Sequence, residues 1–246
     1  AGGTADGTGR PMTPETPYFI ASVTKLCIAA VILRLAERGL VRLDYPFTAY
    51  LPDGIASRLH VRDGVDRTAD ITVRHLLAHA SGLADYLEDK PKKGPRFIDR
   101  LVADGDRDLP LSEVLQIVRD ELAPHFPPQD LRSGGRIRIR YSDTNFQLLI
   151  GIIEAVLGRP WHAVARTELF EPLGLRHTWA PGGQPIDETV EPAALWAGAD
   201  TFEAPRLLRC IGDLYSTVAD QIALLRAVIG GFAFRDGTTA MRMREQ

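Results

Sequence analysis

Phe19-Ile-Ala-Ser-Val-Thr-Lys-Leu-Cys-Ile-Ala-Ala-Val-Ile-Leu33 holds a single charged residue, Lys25, in a nearly unbroken apolar run. Side chains three or four residues apart share a helix face, so Ser22 and Lys25 stand side by side, with Cβ atoms roughly 5–6 Å apart. The stripe they begin continues through Ala29, Ile32 and Ala36, and no polar residue joins it before the helix ends. That pattern predicts burial of the first two turns on nearly every side. A buried ammonium is costly unless it is hydrogen-bonded or gives up its proton, so a lysine placed this way can serve as a base. Beside it is a hydroxyl near a helix N-terminus, where backbone N–H groups stabilise developing negative charge. Ser22 and Lys25 together read as an activated nucleophile. The plainer reading is that Lys25 extends to water and Ser22 caps the helix.

Outward from this stretch, the chain is punctuated mainly as helices. The first runs from Ser22 to Arg38 and stops at Gly39, a good C-terminal residue. Thr72 is the N-cap of a second over Val73 to Ala80, closed by Ser81-Gly82. Further helices fit Ser112 to Leu122, and Leu148 to Leu157 behind a capping box at Thr144-Asn-Phe-Gln147. Pro160 opens one that runs through Phe170, and Thr217-Val-Ala-Asp220 is a second capping box, ahead of a helix ended by Gly230-Gly231. Strand signals are few: Pro17 to Ile20, and Arg136-Ile-Arg-Ile-Arg140, whose alternation predicts a half-buried extended segment.

The 246 residues, 45% hydrophobic and 25% charged, have ordinary globular composition and suffice for a sizeable core. A net charge of −3 gives no general attraction to nucleic acid or anionic membrane. No apolar run reaches the roughly 20 residues of a membrane span, so the chain reads as soluble, either cytoplasmic or exported with its signal removed. Oligomeric state is not written in the sequence. Cys27 and Cys210 are far apart and outside any CxxC pair, which supports neither a metal site nor a disulfide framework; Cys27 reads as a core residue.

Other candidates have simpler readings. His75 and His79 stand at i and i+4, but Leu76 occupies the place of the glutamate in a zinc-binding His-Glu-x-x-His helix, and no third ligand is near. Arg132, Arg136, Arg138 and Arg140 could contact phosphates, yet in an acidic chain a solvated strand face is the better reading. Tyr86 and Trp196 fall in loops, where they either line a pocket or pack.

Four stretches together resemble the serine beta-lactamase-related hydrolases, the family of class C beta-lactamases, D-alanyl-D-alanine carboxypeptidases and esterases of the same fold. They are Ile20-Ala-Ser-Val-Thr-Lys25 with Leu43-Asp-Tyr-Pro46; Ile71-Thr-Val-Arg-His-Leu-Leu-Ala-His-Ala-Ser-Gly-Leu83; Tyr141-Ser-Asp-Thr-Asn-Phe-Gln-Leu-Leu149 with Glu171-Pro-Leu-Gly-Leu175; and Leu214-Tyr-Ser-Thr-Val-Ala-Asp220. The resemblance implies an α/β plus all-α fold, an antiparallel sheet flanked by helices beside a helical region. Residues 1–58 would form an α/β part with the nucleophile helix, 59–199 a mainly helical region, and 200–246 the return to the α/β part.

It also implies acyl transfer to a small-molecule substrate with no cofactor or metal. Ser22 would be the nucleophile, and Tyr141, from a Tyr-x-Asn motif, would share a proton with Lys25; the residues leave open which is the formal base. Asp143 stands at the substrate-binding third position, where the family often has asparagine. A carboxylate there lacks the amide donor and disfavours the beta-lactamase reading, while an acidic residue before a helix also suits the helix dipole. Thr144 breaks the alternative match to a Ser-Asp-Asn motif. The family's downstream Lys-Thr-Gly or His-x-Gly triad is absent from this sequence, which reads as part of a longer protein. Three functions follow: a hydrolase of small esters or amides, a D-alanyl peptidase or beta-lactamase, and a non-catalytic binding module on the same scaffold.

Overall fold

The computed structural model describes residues 2–131, 134–187 and 190–244. In chain order the strands are β1 (Tyr18–Phe19), β2 (Val61–Arg62), β3 (Val65–Asp66), β4 (Trp196–Ala197), β5 (Asp200–Thr201) and β6 (Tyr215–Ser216). The helices are α1 (Thr24–Glu37), α2 (Val73–Leu77), α3 (Phe97–Asp104), α4 (Leu111–Asp120), α5 (Asp143–Leu157), α6 (Trp161–Ala165), α7 (Glu171–Leu173), α8 (Pro205–Cys210), α9 (Val218–Ile229) and α10 (Thr238–Arg244). A π-helical turn over Arg166–Phe170 joins α6 to α7, and a 3₁₀ turn over Ala21–Val23 leads into α1. The strands form antiparallel pairs, β1 with β6, β2 with β3, and β4 with β5.

The chain divides into two compact units. Among the described residues, one holds those up to Arg34, Gly105–Asp108, and 160–244; the other holds Leu35–Asp104 and Leu109–Arg159. In the first, β1 pairs with β6 in the register Tyr18↔Ser216 and Phe19↔Tyr215. Trp179 extends this pairing, its N–H donating to the Tyr215 carbonyl at 3.1 Å and its own carbonyl accepting the Tyr215 N–H at 2.9 Å. Cys27, Ile28, Val31, Ile32, Trp161, Phe170 and Leu214 are buried in this unit. In the second, α5 packs against both α2 and α4, with Phe47, Ile71, Leu76, Leu83, Leu115, Leu148 and Ile152 buried.

Several helix signals form as the sequence predicts. Gly39 takes a φ of +71° just after α1, and Thr72 accepts the His75 N–H in a complete capping box at α2. Others differ. α5 starts at Asp143, with Ser142 as N-cap, so the expected capping box at Thr144 is already inside the helix. Thr144 is buried there, and its Oγ1 donates to the Ala84 carbonyl at 2.6 Å. At α9 only half of the second box forms. Thr217 Oγ1 accepts the Asp220 N–H at 3.2 Å, but the Asp220 carboxylate turns to the His177 N–H and the Thr178 hydroxyl, both at 2.8 Å.

The segment 136–140 is exposed throughout and, among the described residues, pairs with no strand, against the half-buried expectation; Ile139 is 66% exposed. Arg138 lies over the Phe126 ring at 4.8 Å and Arg140 bonds Asp89 at 2.7 Å, so these guanidinium groups serve local packing. Arg132 lies outside the described residues. Tyr86 is buried and packs near Phe97, whereas Trp196 sits in β4 and covers Gly7. Among the described residues no single helix is long and apolar enough to cross a membrane.

Candidate active site

The first unit positions Ser22. The N–H of Ile20 donates to the Leu214 carbonyl at 3.0 Å, so the edge of the β1–β6 pair holds the chain just before it turns into α1. Ala21 then adopts a left-handed φ of +45°, a conformation that costs a residue with a side chain roughly 1–2 kcal/mol and is common at functional turns. The bend leaves Ala21, Ser22 and Val23 exposed, which corrects the expectation that the first turns are buried on every side. Burial begins at Thr24, and Lys25 is half-buried. Lys25 Nζ donates to Ser22 Oγ at 3.2 Å, within reach for proton transfer along the same line. The amine is neither sealed in a core nor cast into solvent; it lies along the helix with its tip on the hydroxyl.

The same unit contains a cavity of about 550 Å³ whose walls include Trp179, Tyr215, Leu195, Phe202, Glu203 and Arg10. Tyr215 is the cross-strand partner of Phe19, so one wall of the cavity belongs to the strand pair that delivers Ser22. Burial, with Glu203 nearby, raises the Tyr215 phenol above its ordinary value, so this hydroxyl keeps its proton.

The second unit positions Tyr141 and Asp143. Tyr141 is 47% exposed, and its hydroxyl donates to Asp143 Oδ1 at 3.4 Å. Its ring stacks on His79, with centroids 4.6 Å apart and planes 30° apart. The segment from His79 to Asp85 is bonded to the start of α5 at every turn. Ser142 Oγ donates to the Ala84 carbonyl at 3.0 Å, Ser81 Oγ donates to Asn145 Oδ1 at 2.7 Å, and the Asp143 N–H donates to Asp85 Oδ2 at 3.3 Å. Gly82 makes this approach feasible. A Cβ there would sit 1.9 Å from the Phe126 carbonyl oxygen, and its φ of +73° is one that glycine adopts freely.

Asp85 is 4% exposed. Burial, and secondarily the charge of Asp143, push its carboxyl up to about 6. At Asp89 burial works in the same direction, but hydrogen bonds from His125, the Asp85 N–H and Arg140 overcome it and hold that carboxyl below its ordinary value. His75 and His79 are both engaged in hydrogen bonds, and among the described residues no group of three or more His, Cys, Asp or Glu side chains could hold a metal ion.

Sequence reasoning singled out Ser22, Lys25, Tyr141 and Asp143 but passed over Asp85, Ser81 and Asn145. His79 drew attention as half of a possible zinc pair, and the family resemblance gives its segment a structural place near the active site. The available signal was polar residues in apolar surroundings, Ser81-Gly82-Leu83-Ala84-Asp85 beside an apolar helix, since buried polar groups need partners.

Known proteins resemble this chain over most of its length. Esterase EstB of Burkholderia gladioli is 35% identical over 172 residues, 68% of this chain and 39% of that protein. Penicillin-binding protein 4 of Amycolatopsis lactamdurans is 28% identical over 263 residues, 98% of this chain and 59% of that protein. Among solved structures, a D-stereospecific amidohydrolase from a Streptomyces species matches 91% of this chain and 64% of its own, with a TM-score of 0.68 at 28% identity. The chain thus spans roughly two fifths to two thirds of the length of these relatives. The helix-rich body with small antiparallel sheets is that of the beta-lactamase and transpeptidase fold. The family model described as Beta-lactamase matches residues 1–246, and the chain belongs to that family of serine hydrolases.

Proposed function

We propose that the protein is a serine hydrolase that works through an acyl-enzyme on a small ester or amide. The observation that carries this reading is the exposed Ser22 hydroxyl with the Lys25 amine 3.2 Å away on the next helical turn. Ser22 Oγ attacks the substrate carbonyl carbon and forms the C–O bond, while its proton passes to the Lys25 amine, which by the family motif shares it with Tyr141. The Ser22 backbone N–H supplies one donor to the oxyanion. Collapse of the tetrahedral adduct breaks the bond to the leaving alkoxide or amine, which takes the proton back. Water then adds to the acyl carbon as it gives a proton to the same pair, and the bond to Ser22 Oγ breaks as that proton returns to it, releasing the acid.

Tyr141 enters this scheme through the family motif it heads. Asp143, an acceptor where an amide donor would assist an amide or lactam carbonyl, tilts the reading toward esters, and the similarity to an esterase runs the same way. Likeness to a penicillin-binding protein and to a D-stereospecific amidohydrolase supports the second reading, a D-alanyl peptidase or beta-lactamase.

Incubation with a fluorophosphonate and, separately, with a penicillin, followed by mass spectrometry of the intact chain and its peptides, tests both. The ester reading expects an adduct on Ser22 from the fluorophosphonate alone, lost in Ser22→Ala and slowed about 100-fold or more in Lys25→Ala and Tyr141→Phe. Labelling by penicillin as well supports the peptidase or lactamase reading. No adduct from either reagent overturns acyl transfer and leaves a binding module.

A further inference from the structure

His79 has a backbone conformation and a hydrogen-bond pattern that packing alone does not demand. Its φ is +52°, in the left-handed region, which a residue with a bulky side chain rarely occupies without cause. Its carbonyl accepts the Arg140 N–H at 3.0 Å, and its Nδ1 accepts the Ser142 N–H at 3.1 Å. The two residues flanking Tyr141 are therefore both bonded to His79, by its main chain on one side and its ring on the other. The ring also stacks on Tyr141 itself and meets Phe146 at a centroid distance of 5.2 Å.

The tautomer follows from the donors. A backbone N–H can only donate, so Nδ1 carries a lone pair. Asn145 Nδ2 is 3.1 Å from the same atom, and its orientation follows, since an Oδ1 in that place would face the Nδ1 lone pair; Asn145 Oδ1 instead accepts from Ser81 Oγ, which itself accepts the Leu83 N–H at 3.1 Å. Two donors converge on Nδ1, so the proton of a neutral imidazole must sit on Nε2. Ser142 is the N-cap of α5, and its N–H has no place in the helix's own hydrogen-bond ladder. His79 Nδ1 fills that need and fixes the turn on which Tyr141 stands.

We infer that His79, neutral and protonated on Nε2, is the positioning residue for Tyr141, holding it through the Ser142 N–H and the stacked ring. The consequence for catalysis rests on the reading of Tyr141 in acyl transfer; the consequence for structure does not.

The test uses the whole chain and three substitutions. In His79→Asn, Oδ1 replaces Nδ1 as acceptor at nearly the same place, and asparagine tolerates the left-handed backbone. His79→Phe keeps a ring without an acceptor, and His79→Gln carries its carbonyl too far out. Thermal melting of each variant identifies any that fail to fold, and only folded variants are compared.

In the wild-type protein, ¹⁵N NMR should find His79 protonated on Nε2 and the Ser142 amide protected from hydrogen exchange. That amide should exchange about 10-fold faster or more in the Phe and Gln variants and regain protection in the Asn variant. Fluorophosphonate labelling of Ser22 should slow about 10- to 100-fold in the Phe and Gln variants and recover to within about 3-fold of wild type in the Asn variant, with the loss in rate at saturation rather than in reagent affinity. A proton found on Nδ1, or Ser142 protection unchanged in the folded Phe and Gln variants, overturns the inference. A wild-type chain that takes no label refutes the acyl-transfer reading, and the tautomer and exchange results still decide the role of His79.

Discussion

Asp85 shows how one side chain couples the site to pH. Its carboxyl is buried at the start of α5, accepts the Asp143, Leu87 and Glu88 N–H groups, and faces the Asp143 charge. Its folded value of about 6 lies above the ordinary 3.8, so the folded state binds the proton more tightly than the unfolded chain does. The stability this confers is fully present below about pH 4 and is lost as pH rises through about 6. Asp85→Asn removes the ionisation while leaving Asp89 and its partners in place. The stability difference between variant and wild type, from urea unfolding, should favour the variant by about 2 kcal/mol more at about pH 7.5 than at about pH 4.5. An equal difference at both pH values would refute the assignment. Ser22 and Lys25 were legible in the sequence because a hydroxyl and an amine one turn apart in an apolar run stand out. Asp85 was not, because its burial depends on Gly82 and α5, which are remote in sequence or mute about contact.

Among the elements, α5 and the segment 79–85 are held together by a network that the order of residues alone does not show. The helix itself was legible: its apolar run and its C-terminal Gly158, φ +64°, define it. Its start was not, since Thr144 looked like a cap and instead bonds Ala84 from inside the helix. The strand expected over 136–140 failed for a similar reason. Alternating Arg and Ile reads as one polar and one apolar face, yet among the described residues no partner strand buries the isoleucines, and Arg138 and Arg140 find Phe126 and Asp89 instead. Gly82→Ala tests the junction. The added carbon would meet a backbone oxygen at 1.9 Å with a strained φ, so the variant should lose about 3 kcal/mol or more in chemical denaturation. A loss below about 1 kcal/mol would mean that the loop moves freely away from Phe126.

For the molecule as a whole, the two thiols offer a direct report on folding. Cys27 is fully buried, and burial pushes its thiol up to about 12, whereas Cys210 at the end of α8 is partly exposed. Ellman's reagent at neutral pH should therefore modify Cys210 readily and reach Cys27 only when the protein opens. Its rate at Cys27 should follow the unfolded fraction across a urea titration. Rapid reaction at both thiols in native buffer would mean that the first unit is not closed around α1. At this level the fold class was legible from four short motifs in family order.

The bend at Ala21 limits what can replace this residue. A left-handed backbone admits glycine, asparagine and aspartate with ease and excludes valine, isoleucine and threonine, whose branching collides with the preceding carbonyl. A randomised library at position 21 would return a short alphabet of small or amide-bearing residues, even though the native methyl group is exposed. Tolerance at this position is dictated by torsion angle, and a surface map would mark it as freely variable.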